Sequence, residues 1–166
     1  KPSGGGGSAT PKPSVPETSD SVGTTETTVK GITDEAGKTA GTADEKEISK
    51  LIDVVKNSAD NVVTIILETT KDTKSASLTI PAGAISLLAE NTDVLLKIDV
   101  GIAALTFDSK SLDFIRNQIS SGDVSIEINP VDKSVLPAEV QSLLGSRPLY
   151  DFTVKTSNGT IEEFGT

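Results

Sequence analysis

The sequence predicts an α+β, β-rich domain that follows a long polar tether. Three observations carry this prediction. The N-terminal quarter is rich in Gly, Pro, Ser and Thr, a strand–short helix–strand unit is written twice, and a hairpin signal lies near the C-terminus. The order of the elements is compatible with a ferredoxin-like split βαβ arrangement, with a small barrel or with a sandwich.

Residues 1–44 differ in composition from the rest of the chain. They hold eight of the fourteen Gly and four of the eight Pro, and few of their side chains are sizeable and apolar. Such a segment does not bury enough surface to offset the entropy of ordering. We therefore expect a flexible linker over residues 1–44 and a folded module over residues 45–166. An alternative stays open, in which residues 26–32 add a strand to a neighbour.

The folded part is expected to begin with a helix and a buried strand. Asp44 with Glu47 three residues later has the form of a capping box. Apolar residues then recur at helical spacing, which predicts a helix to about Ala59. Residues 61–68 form a β-branched run of strand length, which is typical of a central strand.

The duplicated unit spans residues 77–98 and residues 104–128. In each copy a short strand leads to a helix start, at Pro81 in the first and at Asp108 in the second. Two apolar side chains spaced by three follow in each predicted helix, and each copy then ends in a second strand. The matched strands are Leu78-Thr79-Ile80 with Leu105-Thr106-Phe107, and residues 93–98 with residues 123–128. A turn at Val100-Gly101 is expected to join the copies.

The C-terminal part predicts one more helix and a hairpin. Pro137 suits a helix start and Gly145 suits its end, so we expect a short helix over residues 137–144. Residues 150–155 alternate apolar with polar side chains. Asn158-Gly159 is a strong hairpin signal, and residues 160–164 are the expected return strand.

Charge and composition exclude several function classes. The net charge of −9 argues against nucleic acid and against an anionic membrane surface as partners, and no apolar run is long enough for a membrane span. The chain has no Cys and no His, so a Ser-His-Asp triad, a Cys-His dyad and a His-ligated zinc site are impossible. We expect no enzyme and no catalytic residue.

Carboxylates are the plentiful reactive groups, and paired acids suit glycoside hydrolysis. Five of them lie near predicted element ends, where caps and turns favour Asp, so we expect structural roles for Asp93, Asp99, Asp108, Asp113 and Asp123. The sequence has no EF-hand loop. We expect no cofactor and no metal, with a calcium ion held by scattered loop oxygens as the open alternative.

Aromatic residues are few. The four Phe, namely Phe107, Phe114, Phe152 and Phe164, fall on apolar phases of their elements and are expected in the core. Tyr150, shortly after Arg147, is the candidate for an exposed ring. Arg147 and Tyr150 are therefore the predicted ligand-binding residues.

Several stretches of the chain resemble a module of large secreted proteins of Gram-positive, often cellulolytic, bacteria. The most specific are LTIPAGAISLLAE, ALTFDSKSLDFI and RPLYDFTV, and the resemblance spans residues 62–165. Such proteins carry S-layer-homology repeats with glycosidase, cohesin or Ig-like modules, as in cellulosomes. The resemblance implies an extracellular, cell-surface location and no catalytic residue. Further strands follow in that family, so it also implies a module truncated at its C-terminal end.

These observations lead to one functional expectation with two alternatives. The expected function is a non-enzymatic structural or spacer module, whose partners are neighbouring modules of the same protein. The first alternative is a module that binds plant or cell-wall polysaccharide. The second is a protein–protein docking module that pairs strands at a sheet edge.

Overall fold

The structure, a computed structural model, describes residues 25–161. Within these residues the chain forms ten strands and four α-helices in two mixed sheets, so the predicted α+β class is confirmed. The sheets do not close into a barrel and do not form the single sheet of a ferredoxin-like fold. The two-sheet alternative is the observed one. Phe164, whose burial was predicted, and residues 1–24 of the predicted linker lie outside the described residues.

Each sheet has a defined strand order. Sheet A has the order β1-β4-β6-β7, and sheet B has the order β10-β9-β8-β5-β3-β2. The strands are β1 (Glu26–Val29), β2 (Ile32–Thr33), β3 (Lys38–Thr42), β4 (Val62–Leu67), β5 (Ser75–Ile80), β6 (Leu95–Asp99), β7 (Ala104–Phe107), β8 (Val124–Pro130), β9 (Tyr150–Thr156) and β10 (Gly159–Ile161). The helices are α1 (Glu45–Val55), α2 (Ala82–Glu90), α3 (Ser109–Asn117) and α4 (Ala138–Leu144), with a 3-10 turn at Lys133–Val135 before α4.

The predicted linker boundary is wrong for residues 25–44. Strand β1 pairs in parallel with β4, and β3 pairs in parallel with β5, so this part of the chain belongs to both sheets. Val29 and Ala43 are buried in the core, and the Thr39 hydroxyl is buried but bonded to the hydroxyls of Thr33 and Thr73. The polar composition is tolerated because backbone pairing and hydroxyl contacts satisfy its polar groups.

The predicted duplication is confirmed as β5-α2-β6 and β7-α3-β8, and the structure shows one more copy before them, β3-α1-β4. In chain order these three units are called the first copy (β3-α1-β4), the second copy (β5-α2-β6) and the third copy (β7-α3-β8). In all three copies a Thr lies two residues before the N-cap residue, and buried apolar side chains lie four and seven residues after it. These positions are Thr42, Asp44, Ile48 and Leu51 in the first copy, Thr79, Pro81, Ile85 and Leu88 in the second, and Thr106, Asp108, Leu112 and Ile115 in the third. The added copy precedes the two that the sequence predicted.

Each copy crosses from one sheet to the other through its helix. Strand β5 lies in sheet B and β6 in sheet A, whereas β7 lies in sheet A and β8 in sheet B. The first strand of each of these copies pairs antiparallel with the second strand of the other. All three crossover helices therefore lie at one end of the two sheets, and α4 lies beyond the opposite end, between β8 and β9.

The inner faces of the sheets and the crossover helices form one core. Phe107 is buried, with 6% of its surface exposed, and Phe114 packs partly buried against the core. Phe152 is 43% exposed, so its predicted burial is wrong. Sheet B has two strands more than sheet A, and on β9 the side chain of Val154 is buried opposite Ile126, whereas that of Phe152, opposite Ile128, is exposed.

Local signals start and stop these elements as expected. The Asp44 carboxylate accepts hydrogen bonds from the backbone N–H groups of Lys46 and Glu47, which caps α1. Helix α1 ends at Val55, a few residues before the predicted end near Ala59. Gly101 joins β6 to β7 at φ +74°, and an added Cβ there would lie 2.3 Å from the Thr69 hydroxyl oxygen.

Candidate functional site

The two predicted ligand-binding residues lie close in sequence but occupy different environments. Arg147 is exposed in the connection after α4, and its backbone carbonyl accepts a hydrogen bond from Lys133 Nζ at 2.6 Å. Tyr150 begins β9 opposite Pro130 and packs partly buried against the core. Within residues 25–161 no hydrogen bond connects the two side chains. Tyr150 therefore presents only part of its ring to a ligand.

Three of the five aspartates that were expected in structural roles have clear structural partners, namely Asp99, Asp108 and Asp113. Asp108 caps α3, accepting from the Ser111 backbone N–H at 2.8 Å, and hydrogen bonds from the Ser111 hydroxyl and this N–H hold the pKa of Asp108 below its ordinary value. Asp99 accepts from the Gly101 N–H at 2.9 Å in the turn that joins two copies. Asp113 pairs with Arg116 one turn later on α3. The contacts of Asp99 and Asp108 match the turn and cap roles expected from sequence, whereas Asp113 lies in the middle of α3 and forms an ion pair instead.

Asn158 lies in the predicted hairpin turn and is held by the neighbouring loop. Its side-chain amide donates to the Gln118 carbonyl at 2.8 Å, and its Oδ1 accepts from the Ser120 hydroxyl at 2.6 Å. The Asn158-Gly159-Thr160 triplet has the pattern of an N-glycosylation acceptor. In the structure its amide nitrogen instead ties the β9–β10 turn to the loop after α3.

The most concentrated charge on a sheet surface lies at Glu127, on the outer face of sheet B. Its side chain is 16% exposed and lies between two lysines, 2.8 Å from Lys155 Nζ and 3.8 Å from Lys38 Nζ. The hydrogen bond from Lys155, with the charges of both lysines, holds the pKa of Glu127 below its ordinary value against the opposing effect of burial. The triad connects strands β3, β8 and β9.

The surroundings of Glu127 are small and polar. Ser77 on β5 lies opposite Glu127, and its hydroxyl shares a 3.1 Å hydrogen bond with the Ser125 hydroxyl. Neighbouring positions of the same face are Thr42, Ser75, Thr79, Asn129, Thr153 and Thr160. Because the crossover helices lie at the end of the sheets, they leave this face uncovered. We call it the polar face of sheet B.

This polar face offers hydroxyl and amide groups that form hydrogen bonds, around one carboxylate paired with two lysines. Glu127 is held ionised by two ammonium groups, so it does not act as a proton donor near neutral pH. The chain has neither His nor Cys, so neither an imidazole nor a thiol lies on this face. The two ion pairs of Glu127 connect three strands of sheet B. The hydroxyl and amide groups around them form a surface that can donate and accept hydrogen bonds with a polar partner.

Several open grooves lie on the surface of the described residues, and two of them adjoin the last hairpin and the β2–β3 edge. One, of about 190 Å³, lies between α3 and the last hairpin and is lined by Phe114, Gln118, Asn158 and Ile161 among others. Another, of about 430 Å³, lies at the β2–β3 edge beside Ile32 and Lys38. Both grooves are open to solvent rather than enclosed.

No cluster of three or more metal-ligating side chains occurs among residues 25–161. Over the same residues no helix has the length and apolarity needed to cross a membrane.

Comparison with protein-family models, with curated proteins and with solved structures found no match to this chain. Sequence reasoning missed the Glu127 triad because Lys38 lay in the predicted linker. The alternation of Ile126, Glu127 and Ile128 was the signal that places this carboxylate on the outer face.

Proposed function

We propose that this chain is a non-enzymatic spacer module of a multimodular bacterial cell-surface protein. The observation that carries the proposal is the position of the first and last described strands. β1 is an edge strand of sheet A and β10 is an edge strand of sheet B. Neighbouring modules attached through edge strands leave the shared core intact.

The directions of these two strands support the same proposal. β1 runs parallel to β4 and so begins at the end where the crossover helices lie. β10 runs antiparallel to β9 and heads toward the opposite end. A chain that enters at one end and leaves toward the other suits modules joined in series, with the polar N-terminal sequence adding reach.

The spacer role is tested by a distance measurement on the full chain. Cys introduced at the exposed positions Thr28 and Thr160 are labelled with a fluorophore pair, since the chain has no other Cys. We expect one narrow distance distribution in buffer, unchanged by soluble xylan, and a broad one in urea. A broad distribution in buffer would contradict a rigid spacer.

Polysaccharide binding is the second candidate, and the polar face of sheet B is the observation that favours it. Its short hydroxyl and amide side chains match the hydrogen-bonding capacity of sugars. Pull-down on cellulose, xylan and peptidoglycan separates the two functions. Spacer function predicts no retention on any of them. Retention that is lost in Asn129→Ala would favour the polar face, and retention that is lost in Tyr150→Ala or Arg147→Ala would favour the predicted pair.

A further inference from the structure

The turn of the last hairpin is tied by side chains to the loop that follows α3. The Asn158 amide nitrogen donates to the Gln118 carbonyl at 2.8 Å, and Asn158 Oδ1 accepts from the Ser120 hydroxyl at 2.6 Å. The Ser157 hydroxyl donates to the Ser121 carbonyl at 2.5 Å. Both polar atoms of the Asn158 carboxamide are therefore engaged by the loop.

Asn158 belongs to the one Asn-Gly pair in the chain. In such a pair the backbone nitrogen of the glycine can attack the asparagine Cγ, because the glycine has no side chain to hinder the approach. Asn158 and Gly159 are both exposed, and a Cβ placed on Gly159 would meet no atom within 4 Å. The two reacting atoms are therefore unhindered once the turn opens.

The closed turn restrains this reaction. Attack requires the Asn158 side chain to rotate toward the Gly159 nitrogen, whereas its two hydrogen bonds to the loop fix its orientation. Gly159 is also paired with Thr156 at the start of β10. The reaction therefore needs local opening of the turn, and its rate follows the population of the open turn.

We propose that Asn158 is a deamidation site, controlled by the contacts between the hairpin turn and the loop after α3. The Gly159 nitrogen forms a bond to Asn158 Cγ and gives up its proton, and the Cγ–Nδ2 bond breaks, so that ammonia leaves and a cyclic imide remains. Water then opens the ring at either of its carbonyl groups, which gives aspartate or isoaspartate at position 158. The reaction consumes one water and needs no oxidant or reductant. The proposal does not depend on the spacer role.

The product does not re-form the contacts of the closed turn. Asn158 Nδ2 donates to the Gln118 carbonyl, and the carboxylate oxygen that replaces it has no proton to donate. Its negative charge then lies beside a carbonyl oxygen, which repels it, and isoaspartate also adds a methylene group to the backbone of the turn. Val154 and Ile161 of the hairpin are buried, so a loosened turn weakens the packing of the last two strands. Deamidation thus limits the lifetime of the folded hairpin.

Mass spectrometry of the full chain tests the site. After incubation in mildly alkaline buffer, we expect the mass change from amide to acid to appear at Asn158 before any other asparagine. Ser157→Ala removes the bond to Ser121 without touching the carboxamide. We expect it to speed the reaction about two- to tenfold, the gain in open turn that the loss of one hydrogen bond gives. The matched control is Ser146→Ala, at an exposed serine whose side chain makes no hydrogen bond within residues 25–161. No reaction at Asn158, an earlier reaction at another asparagine, or equal rates in the two variants would overturn the proposal.

Asn158→Asp tests the consequence, because this variant is the aspartate product of the reaction. We expect its Tm to lie about 2–6 °C below that of the parent, as the loss of one hydrogen bond predicts for a domain of this size. Ser146→Asp adds the same charge where no such bond exists, and its Tm is expected to equal that of the parent. Equal Tm values for the two variants would show that the amide contact does not hold the hairpin turn closed, and would overturn the proposed control of the reaction.

Discussion

Helices α2 and α4 begin with similar sequences and lie in opposite environments. Residues 81–88 read PAGAISLL and residues 137–144 read PAEVQSLL. Helix α2 buries Ala84, Ile85 and Leu88, whereas α4 buries none of its residues. The sequence difference at the centre of the buried face is Ile85 against Gln141.

The strands that flank each helix explain the difference. Helix α2 connects β5 in sheet B to β6 in sheet A, so it must bridge the two sheets and covers the core between them. Helix α4 connects β8 to β9, which are neighbours in one sheet, so nothing requires it to cross the core. The strand connectivity thus decides which of two similar helix sequences is buried. The exposed helix, α4, differs by the polar residue Gln141, which replaces Ile85 of α2.

The largest expected effect comes from exchanging the residues that distinguish the helices. Ile85→Gln should cost about 3–6 kcal/mol, because it removes a fully buried side chain and leaves an amide without a partner. Gln141→Ile should cost about 1 kcal/mol or less, for the loss of its bond to Leu136. Urea unfolding followed by circular dichroism measures both. Similar costs would show that α4 contributes to the core as α2 does.

Two phenylalanines extend the comparison to the strands. Phe107→Ala should cost about 3–5 kcal/mol, since the ring is buried where β7 leads into α3. Phe152→Ala should cost clearly less, because the ring is 43% exposed on β9, the strand that follows residues 131–149, which we call the α4 connection. The same urea titration applies to both variants. A near-neutral result for Phe107→Ala would contradict the observed register of β7.

Capping aspartates give a smaller effect. Asp108→Ala removes the cap of α3 and should cost about 0.5–2 kcal/mol. Asp132 accepts from the Ser134 backbone N–H at 2.8 Å in the α4 connection, where no core packing depends on it. Asp132→Ala should therefore leave the thermal midpoint unchanged. A drop in Tm with Asp132→Ala as large as with Asp108→Ala would show that the α4 connection unfolds together with the core.

The smallest effect concerns pH. The lowered pKa of Glu127 means that its stabilisation is present above the ordinary Glu range, near pH 4.3, and is lost as the pH falls through the folded-state value. Glu127→Gln should cost about 1 kcal/mol or less at neutral pH, since both lysines are half exposed. The difference from the parent should shrink on acidification. A constant difference between pH 7 and pH 3 would rule out the ion triad as its cause.

The same physical contrasts explain what the sequence alone predicted. The second and third copies were recognised because Leu78 and Ile80, like Leu105 and Phe107, are large and apolar before the helix start. The first copy has Gly41 and Ala43 at these positions and was assigned to a linker. An added Cβ at Gly41 would lie 2.6 Å from a Leu67 methyl and 2.7 Å from a Val29 methyl. Side chains from β1 and β4 already fill this space, so a large apolar residue does not fit at position 41. The first copy therefore lacks the apolar sequence pattern by which the other two copies were recognised.

The candidate site was less predictable than the fold. Glu127 on β8 pairs with Lys38 on β3, across the intervening strand β5. Lys38 lies 89 residues earlier in the chain, so no local sequence pattern connects the two residues. The exposure of α4 was also invisible, because its apolar spacing equals that of a helix that packs on a core. The cap at Asp108 was predicted because its partner, Ser111, lies three residues away. The turn at Asn158 was recognised from its own Asn-Gly sequence, whereas its bonds to Gln118 and Ser120, 40 and 38 residues earlier, were not predicted.

The division of every repeat between the two sheets has a consequence for how the chain folds. Cutting the chain after α2 would leave β5 without β8 in sheet B and would remove both β6 and β7 from sheet A. Neither sheet is complete until the third copy has been added, so no single repeat offers a stable intermediate. Folding is therefore expected to be all-or-none over residues 25–161 and slow, since most strand pairs join distant parts of the chain. A protein with this topology gains folding cooperativity from the crossovers. We therefore expect that most of the chain must be synthesised before any part of it is stably folded.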